Sequence, residues 1–136
     1  AKELVTEEQL KTVSMDKILR FVESPIGQRM VQTKINREIP FNIEIPCTDI
    51  YKDLDKDFYK HHTVMLQGVI DCYFEEQDGI VLVDYKTDYI NDNLDMIRSR
   101  YQVQIDCYTK ALQQITGKQV KERYIYLFYN GEILNM

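Results

Sequence analysis

A mixed α/β (α+β) fold, with a central mixed sheet of about four to five strands flanked by helices, is predicted from three observations along the chain. Ile35 to Pro46 alternate apolar and polar with period two, as a half-buried strand does. Two apolar segments, about 64–76 and 80–87, flank Asp78-Gly79, a strong hairpin signal. An amphipathic pattern of helical period then precedes a last apolar segment at about 122–129.

The elements follow in order. Thr6-Glu7-Glu8-Gln9 resembles a capping box and should open a short helix. Met15, Ile18, Leu19 and Val22 continue with helical spacing until Ser24-Pro25, which suits a fresh start with Ser24 as N-cap and Pro25 in the first turn. In the strand that follows, Ile35, Ile39, Phe41, Ile43 and Ile45 face one way and Asn36, Glu38, Asn42 and Glu44 the other. Pro40 cannot donate to a ladder, so this strand belongs near an edge. Residues 47–62 read as a charged loop. Beyond the hairpin, Tyr101, Ile105, Tyr108, Leu112 and Ile115 mark a helix that Gly117 can stop. The segment from Tyr124 to Tyr129 is apolar on both faces and should lie inside the sheet. Asn130-Gly131 then turns the chain into Glu132-Ile133-Leu134. The organisation expected is a single domain over 1–136, with 1–34 a helical N-terminal segment and 35–136 a sheet core that carries the Gln104/Tyr108 helix.

Composition bounds the function. Hydrophobic residues make up 44% and charged residues 29%, ordinary for a globular chain of 136 residues. Apolar runs are far shorter than the roughly 20 residues of a membrane span, and no signal segment opens the chain. Cys47, Cys72 and Cys107 are well separated and form no CxxC pair, which argues against a zinc knuckle, a cysteine-ligated cluster or a secreted disulfide framework. The cytoplasm is the expected compartment. A net charge of −5 sits awkwardly with binding nucleic acid, but the acids at 49–57 and 88–95 read as solvated loops.

The chemistry concentrates on Asp84-Tyr85-Lys86, which follows the apolar run Ile80-Val81-Leu82-Val83, and on Asp71 in the preceding strand. If Asp78-Gly79 forms the turn, Tyr73 faces Asp84 and Asp71 faces Lys86. Ile70, Cys72, Phe74, Val81, Val83 and Tyr85 then share a core face. Asp71, Tyr73, Glu75, Leu82, Asp84 and Lys86 share the other. A slip of one residue would split the apolar set, so this register or one shifted by two is selected. Asp71 and Asp84 become diagonal neighbours, roughly 7–8 Å apart at the backbone. Two carboxylates at that spacing can share Mg²⁺ or Mn²⁺, and a lysine beside them can orient a water, a kit suited to cutting a phosphodiester. The hairpin alone fits equally well an Asp71–Lys86 ion pair beside a solvated Asp84. Gln104 and Tyr108, spaced i, i+4 on one helix face, favour the metal reading, because a glutamine amide at a core boundary needs polar partners.

Three segments together resemble the RecB-family nuclease domains of the PD-(D/E)XK superfamily. They are Gly68-Val69-Ile70-Asp71, Val83-Asp84-Tyr85-Lys86-Thr87 and Gln104-Ile105-Asp106-Cys107-Tyr108. Ser24 to Arg29, Arg37 to Phe41 and Tyr108 to Leu112 are similar to the C-terminal nuclease domains of the AddA (RexA) type of helicase–nuclease. The resemblance implies a restriction-endonuclease-like core and Mg²⁺-dependent hydrolysis of DNA in bacterial recombinational repair. It implies that Asp71, Asp84 and the Tyr85 backbone carbonyl hold Mg²⁺ (or Mn²⁺), that Lys86 assists the water, and that Gln104 and Tyr108 support the site or touch DNA. The implied partners are DNA, the protein's own helicase domains, through which alone ATP would act, and an AddB/RexB-type subunit. No iron–sulfur cluster is implied. The family's first motif carries a metal-ligating His on an upstream helix. His61 and His62 do not match it and read as solvated loop residues. The chain is therefore expected to be a fragment that starts after that helix and cuts poorly alone. A catalytically inert nuclease-fold module that binds DNA or a partner protein is the alternative.

Overall fold

The computed structural model describes residues 14–51, 53, 55–87, 89 and 93–136. The Thr6–Gln9 capping box, Asp88 and Asp92 lie outside the described residues. Helices α1 (Met15–Glu23) and α2 (Pro25–Met30) are followed by β1 (Ile35–Pro46) and two short helices, α3 (Cys47–Ile50) and α4 (Lys56–Tyr59). Then come β2 (Thr63–Glu76), β3 (Gly79–Lys86), α5 (Leu94–Thr116), β4 (Val120–Leu127) and β5 (Glu132–Asn135). The five strands form one mixed sheet in the order β1-β2-β3-β4-β5. All neighbours are antiparallel except β3 and β4, which run parallel because α5 carries the chain across. Among the described residues no helix is long and apolar enough to cross a membrane.

Both faces of the sheet are covered. On one, Phe21, Ile26 and Met30 of α1 and α2 pack on Cys72, Phe74, Val81, Val83, Tyr85, Tyr126 and Phe128. The Phe21 ring meets those of Tyr126 and Tyr85 edge-on at 4.6 and 5.3 Å. On the other, Ile97, Ile105, Ala111 and Leu112 of α5 cover Ile80, Leu82, Ile125 and Leu127, with Phe41, Ile43 and Ile45 alongside. Strand β3 is thus buried on both sides along most of its length, as a strand in a parallel pair should be.

The structure corrects the sequence reading in five places. The hairpin turn is Gln77-Asp78 rather than Asp78-Gly79, since Glu76 pairs with Gly79 and Cys72 with Val83. Gly79 is needed inside β3 for another reason. A Cβ there would come within 3.1 Å of the Gln119 carbonyl and 3.2 Å of Lys121 Cβ. The alternation of β1 breaks at Glu38, whose φ is 52°. Ile35 therefore packs on the α1–α2 side while Ile39, Phe41, Ile43 and Ile45 pack on the α5 side. In β2, likewise, Ile70 joins the α5 cluster instead of Cys72 and Phe74. Residues 47–62 contain α3 and α4 where a loop was expected; Asp55 caps the latter by accepting from the Asp57 and Phe58 N–H groups. Helix α5 begins at Leu94, because Asn93 accepts the Met96 N–H and buried Ile97 extends the apolar stripe a turn earlier. That stripe ends at Leu112, and Ile115 is 51% exposed.

The Ser24–Arg29 segment forms the α1–α2 corner. Ser24 accepts the Gly27 N–H at 3.1 Å, Pro25 fills the first turn, and Gln28 Nε2 donates to the Val22 carbonyl at 2.7 Å. A Cβ on Gly27 would lie 2.1 Å from the Phe21 carbonyl oxygen, so no larger residue fits. Arg29 reaches across the sheet end, donating to Glu76 at 3.0 and 2.5 Å and to Glu122 at 2.9 and 2.7 Å. Lys121 joins the network through Glu76 and Asp78.

This network gives an acid-sensitive contribution to stability. Arg29 holds the Glu76 and Glu122 carboxyls down at about 2, against about 4.3 for an unfolded glutamate. A depressed carboxylate pKa stabilises the fold above the unfolded value and loses that contribution as pH falls through the folded one. Denaturation with urea should therefore show stability dropping between pH 4.5 and 2, with the drop markedly smaller in Arg29→Leu.

Candidate active site

The hairpin register assembles the site. The β2–β3 ladder ends at the Cys72–Val83 pair, two residues out of the register expected from an Asp78-Gly79 turn, and Asp71 and Asp84 are the next residue of each strand. Asp84 shares the α5 side of β3 with buried Ile80 and Leu82 and is itself only 2% exposed. Asp71 is fixed by its neighbour strand: its Oδ2 accepts the Tyr85 N–H at 2.9 Å. Backbone groups alternate sides along a strand. Since the Lys86 carbonyl accepts from Phe128 N on the β4 side, the Tyr85 carbonyl faces the β2 side, where Asp71 lies.

Lys86, two residues on, returns to the Asp84 face. Its Nζ lies 2.8 Å from Asp84 Oδ2 and donates to Gln104 Oε1 at 2.8 Å. Gln104 Nε2 donates in turn to Tyr108 Oη at 3.0 Å, which fixes the amide so that its oxygen faces the lysine. Gln104 and Tyr108 thus form the roof that their i, i+4 spacing predicted. The ring of Tyr101, one turn before Gln104, sits under the ammonium with its centroid 4.3 Å from Nζ. Sequence analysis placed Tyr101 only in the apolar stripe. The signal available was its spacing, three residues before Gln104.

Gly68, at the head of the Asp71 segment, makes room for this roof. Its Cβ position would be 3.0 Å from the Phe41 ring and 3.7 Å from that of Tyr108. The two rings meet edge-on there at 5.7 Å. A side chain at position 68 would press on the Phe41 ring, with Tyr108 at ordinary contact distance.

The electrostatics leave negative charge uncompensated. Burial pushes the Asp71 carboxyl up to about 7, and the Asp84 carboxylate adds to this through its charge and through a direct carboxyl–carboxyl hydrogen bond; the Tyr85 N–H and Lys86 act the other way. Like charges this close cannot both ionise freely. Burial and the same two acids push the Tyr108 hydroxyl up to about 12. Asp84 Oδ2 is buried and makes no hydrogen bond of regular geometry among the described residues, its partner being the Lys86 ammonium in an ion pair at 2.8 Å. Two hard carboxylate donors side by side, one of them pushed up to about 7, fit a divalent cation. Among the described residues no three His, Cys, Asp or Glu side chains converge on one point. His61 and His62 are exposed, as expected.

The family model of the PD-(D/E)XK nuclease superfamily matches residues 2–133. The chain is 57% identical, over 98% of its length, to an ATP-dependent helicase/nuclease subunit of Acetivibrio thermocellus, covering 11% of that protein. It is 53% identical, over 93% of its length, to the helicase/nuclease protein of the same name from Clostridium botulinum (strain Loch Maree / Type A3), covering 10% of it. For the corresponding Thermoanaerobacter sp. (strain X514) protein the identity is 51% over 98% of the chain, again 11% of the relative. The chain therefore spans about a tenth of the length of these relatives and is homologous to one piece of them. It belongs to the PD-(D/E)XK nuclease superfamily.

Proposed function

We propose that this chain is the metal-dependent DNA nuclease domain of a bacterial helicase–nuclease that processes double-strand breaks for recombinational repair. Nucleases of this superfamily generally use divalent metal ions, and Mg²⁺ is the ion assigned here, with Mn²⁺ as a substitute. The observation that carries the reading is the convergence, within hydrogen-bonding reach, of Asp71, Asp84, Lys86, Gln104 and Tyr108 from β2, β3 and α5.

Asp71, Asp84 and the Tyr85 carbonyl would hold the ion, whose chemistry when bound would be to polarise a phosphoryl oxygen and acidify a water. Lys86 orients the attacking water and shares the charge that develops on the phosphodiester. The Gln104 amide holds the lysine, and Tyr108 holds the amide. The substrate is DNA; the working partners are helicase domains in the same protein, where ATP acts, and an AddB/RexB-type subunit, all in the cytoplasm. With two carboxylates as its side-chain donors, the chain alone binds metal weakly and cuts poorly.

Two outcomes test this. Titration calorimetry with Mn²⁺ should show binding that Asp71→Ala and Asp84→Ala each abolish; unchanged heats would sink the metal assignment. In the natural longer protein, Lys86→Ala should lower DNA cleavage by at least about a hundredfold while circular dichroism and urea midpoint stay near wild type.

A pH dependence follows from Asp71. Its folded pKa is above the roughly 3.9 of an unfolded aspartate, so the native state binds the extra proton between about 4 and 7. Stability of the metal-free protein contributed by this group is full below pH 4, declines as pH rises towards 7, and levels off above. Thermal melts should show that decline, Asp71→Asn should remove it, and millimolar Mn²⁺ should restore stability at pH 8 more than at pH 5.

A further inference from the structure

Three contacts fix the Lys86 ammonium. Two are polar, Asp84 Oδ2 and Gln104 Oε1, each at 2.8 Å. The third is the face of the Tyr101 ring, with the centroid 4.3 Å from Nζ. Tyr101, Gln104 and Tyr108 are spaced i, i+3, i+7 on α5 and so share one face, turned to the sheet. The Tyr101 ring is half-buried against the α5-side core, which limits its rotamers. The Lys86 side chain is 17% exposed, so the ring meets a largely desolvated cation, the condition in which such contacts are strongest.

A lysine head on a flexible four-carbon stem beside two carboxylates has an alternative place to go. Its Nζ already touches Asp84 Oδ2 at 2.8 Å; without a partner on the far side it can move further in, between Asp84 and Asp71, and neutralise the pair that a metal would need. The Gln104 oxygen opposes this from one direction and the negative ring face from another. We propose that Tyr101 is a positioning residue for phosphodiester hydrolysis, its ring face holding the Lys86 ammonium at its contacts with Asp84 Oδ2 and Gln104 and keeping it from moving in between the two carboxylates. This rests on the nuclease reading above and adds a residue to it. The property that matters is the aromatic face, so phenylalanine can replace tyrosine and leucine cannot.

The contact and its consequence can be measured separately. In metal-free protein labelled at lysine, the Lys86 ε-methylene protons should resonate upfield of the other lysines, shifted by the ring current. Tyr101→Phe should keep that shift and Tyr101→Leu should lose it. In the natural longer protein, Tyr101→Leu should lower kcat for DNA by about 3- to 30-fold and weaken Mn²⁺ binding, with KM for DNA unchanged, and Tyr101→Phe should stay within about twofold of wild type. An absent ring-current shift in the wild type, a Tyr101→Leu protein with wild-type kcat, or a Tyr101→Phe protein as slow as Tyr101→Leu would each overturn the proposal. Normal cleavage by Lys86→Ala would remove the role of Lys86 itself, while the ring-current shift would persist, so the two failures are told apart.

Discussion

Asp71 and Asp84 come side by side as the first residues beyond the Cys72–Val83 pair that ends the β2–β3 ladder. The Cys72–Val83 pair fixes the register, the Tyr85 N–H grips Asp71 at 2.9 Å, and buried Leu82 pins the face on which Asp84 emerges. Moving the Asp71 carboxyl from its ordinary range to about 7 corresponds to on the order of 4 kcal/mol against the doubly ionised state. Net stabilities of domains are about 5–15 kcal/mol, so this is a large fraction of what the fold can spend. Lys86 places one positive charge against Asp84, and the proposed divalent ion would offset the remaining negative charge.

The rest of the molecule serves to keep β3 from yielding. A strand carrying that repulsion would relax if either face were soft. It is instead packed between Phe21, Met30, Tyr126 and Phe128 on one side and Ile97, Ile105 and Leu112 on the other, all essentially unexposed. The parallel partner β4 holds its far edge, with the ladder running from Ile80–Val120 to Lys86–Leu127. Arg29 and Lys121 clamp the hairpin end of the same strands through Glu76 and Asp78. The clamp sits at the opposite end of β3 from Lys86, so its charges stabilise the frame without cancelling the field at the site.

Much of this was legible in the residues, and the misses have physical causes. Period two found β1 and period 3.6 found α5, because each presents an apolar stripe to a core. The hairpin was found too, but its register was off by two. Gly79 looked like half of a turn, whereas it is demanded by the close approach of Gln119 and Lys121 from β4, a partner forty residues away. That error placed Asp71 diagonal to Asp84 without changing their common face, since faces repeat every two residues. The switch of Ile35 and Ile70 between layers depends on one residue, Glu38 at φ 52°, and no local pattern announces a glutamate there. The start of α5 was missed because Asn93 caps it inside a stretch that reads as polar. Tyr101 was counted as core and is also core; its second contact, with Lys86, exists only once the sheet and helix are docked.

The segments shared with the nuclease family divide by what they do physically. Ser24, Gly27, Gln28 and Arg29 close the α1–α2 corner and tie it to Glu76 and Glu122, with no atom near the carboxylate pair in any contact they make. Gly68 belongs to the site though it carries no chemistry, because the space it leaves is occupied by Phe41 and Tyr108. Asp71, Asp84, Lys86, Gln104 and Tyr108 are the residues to which the proposed function assigns the chemistry, although Asp84 is buried and Tyr108 also packs against the α5-side core. Substitutions should therefore fall into three patterns. Corner residues change stability and leave catalysis intact in whatever fraction folds. Site residues change the rate with stability unchanged or, for the acids, improved. Gly68 should change both at once, since a side chain there presses on the Phe41 ring, which packs edge-on against Tyr108 beside the site.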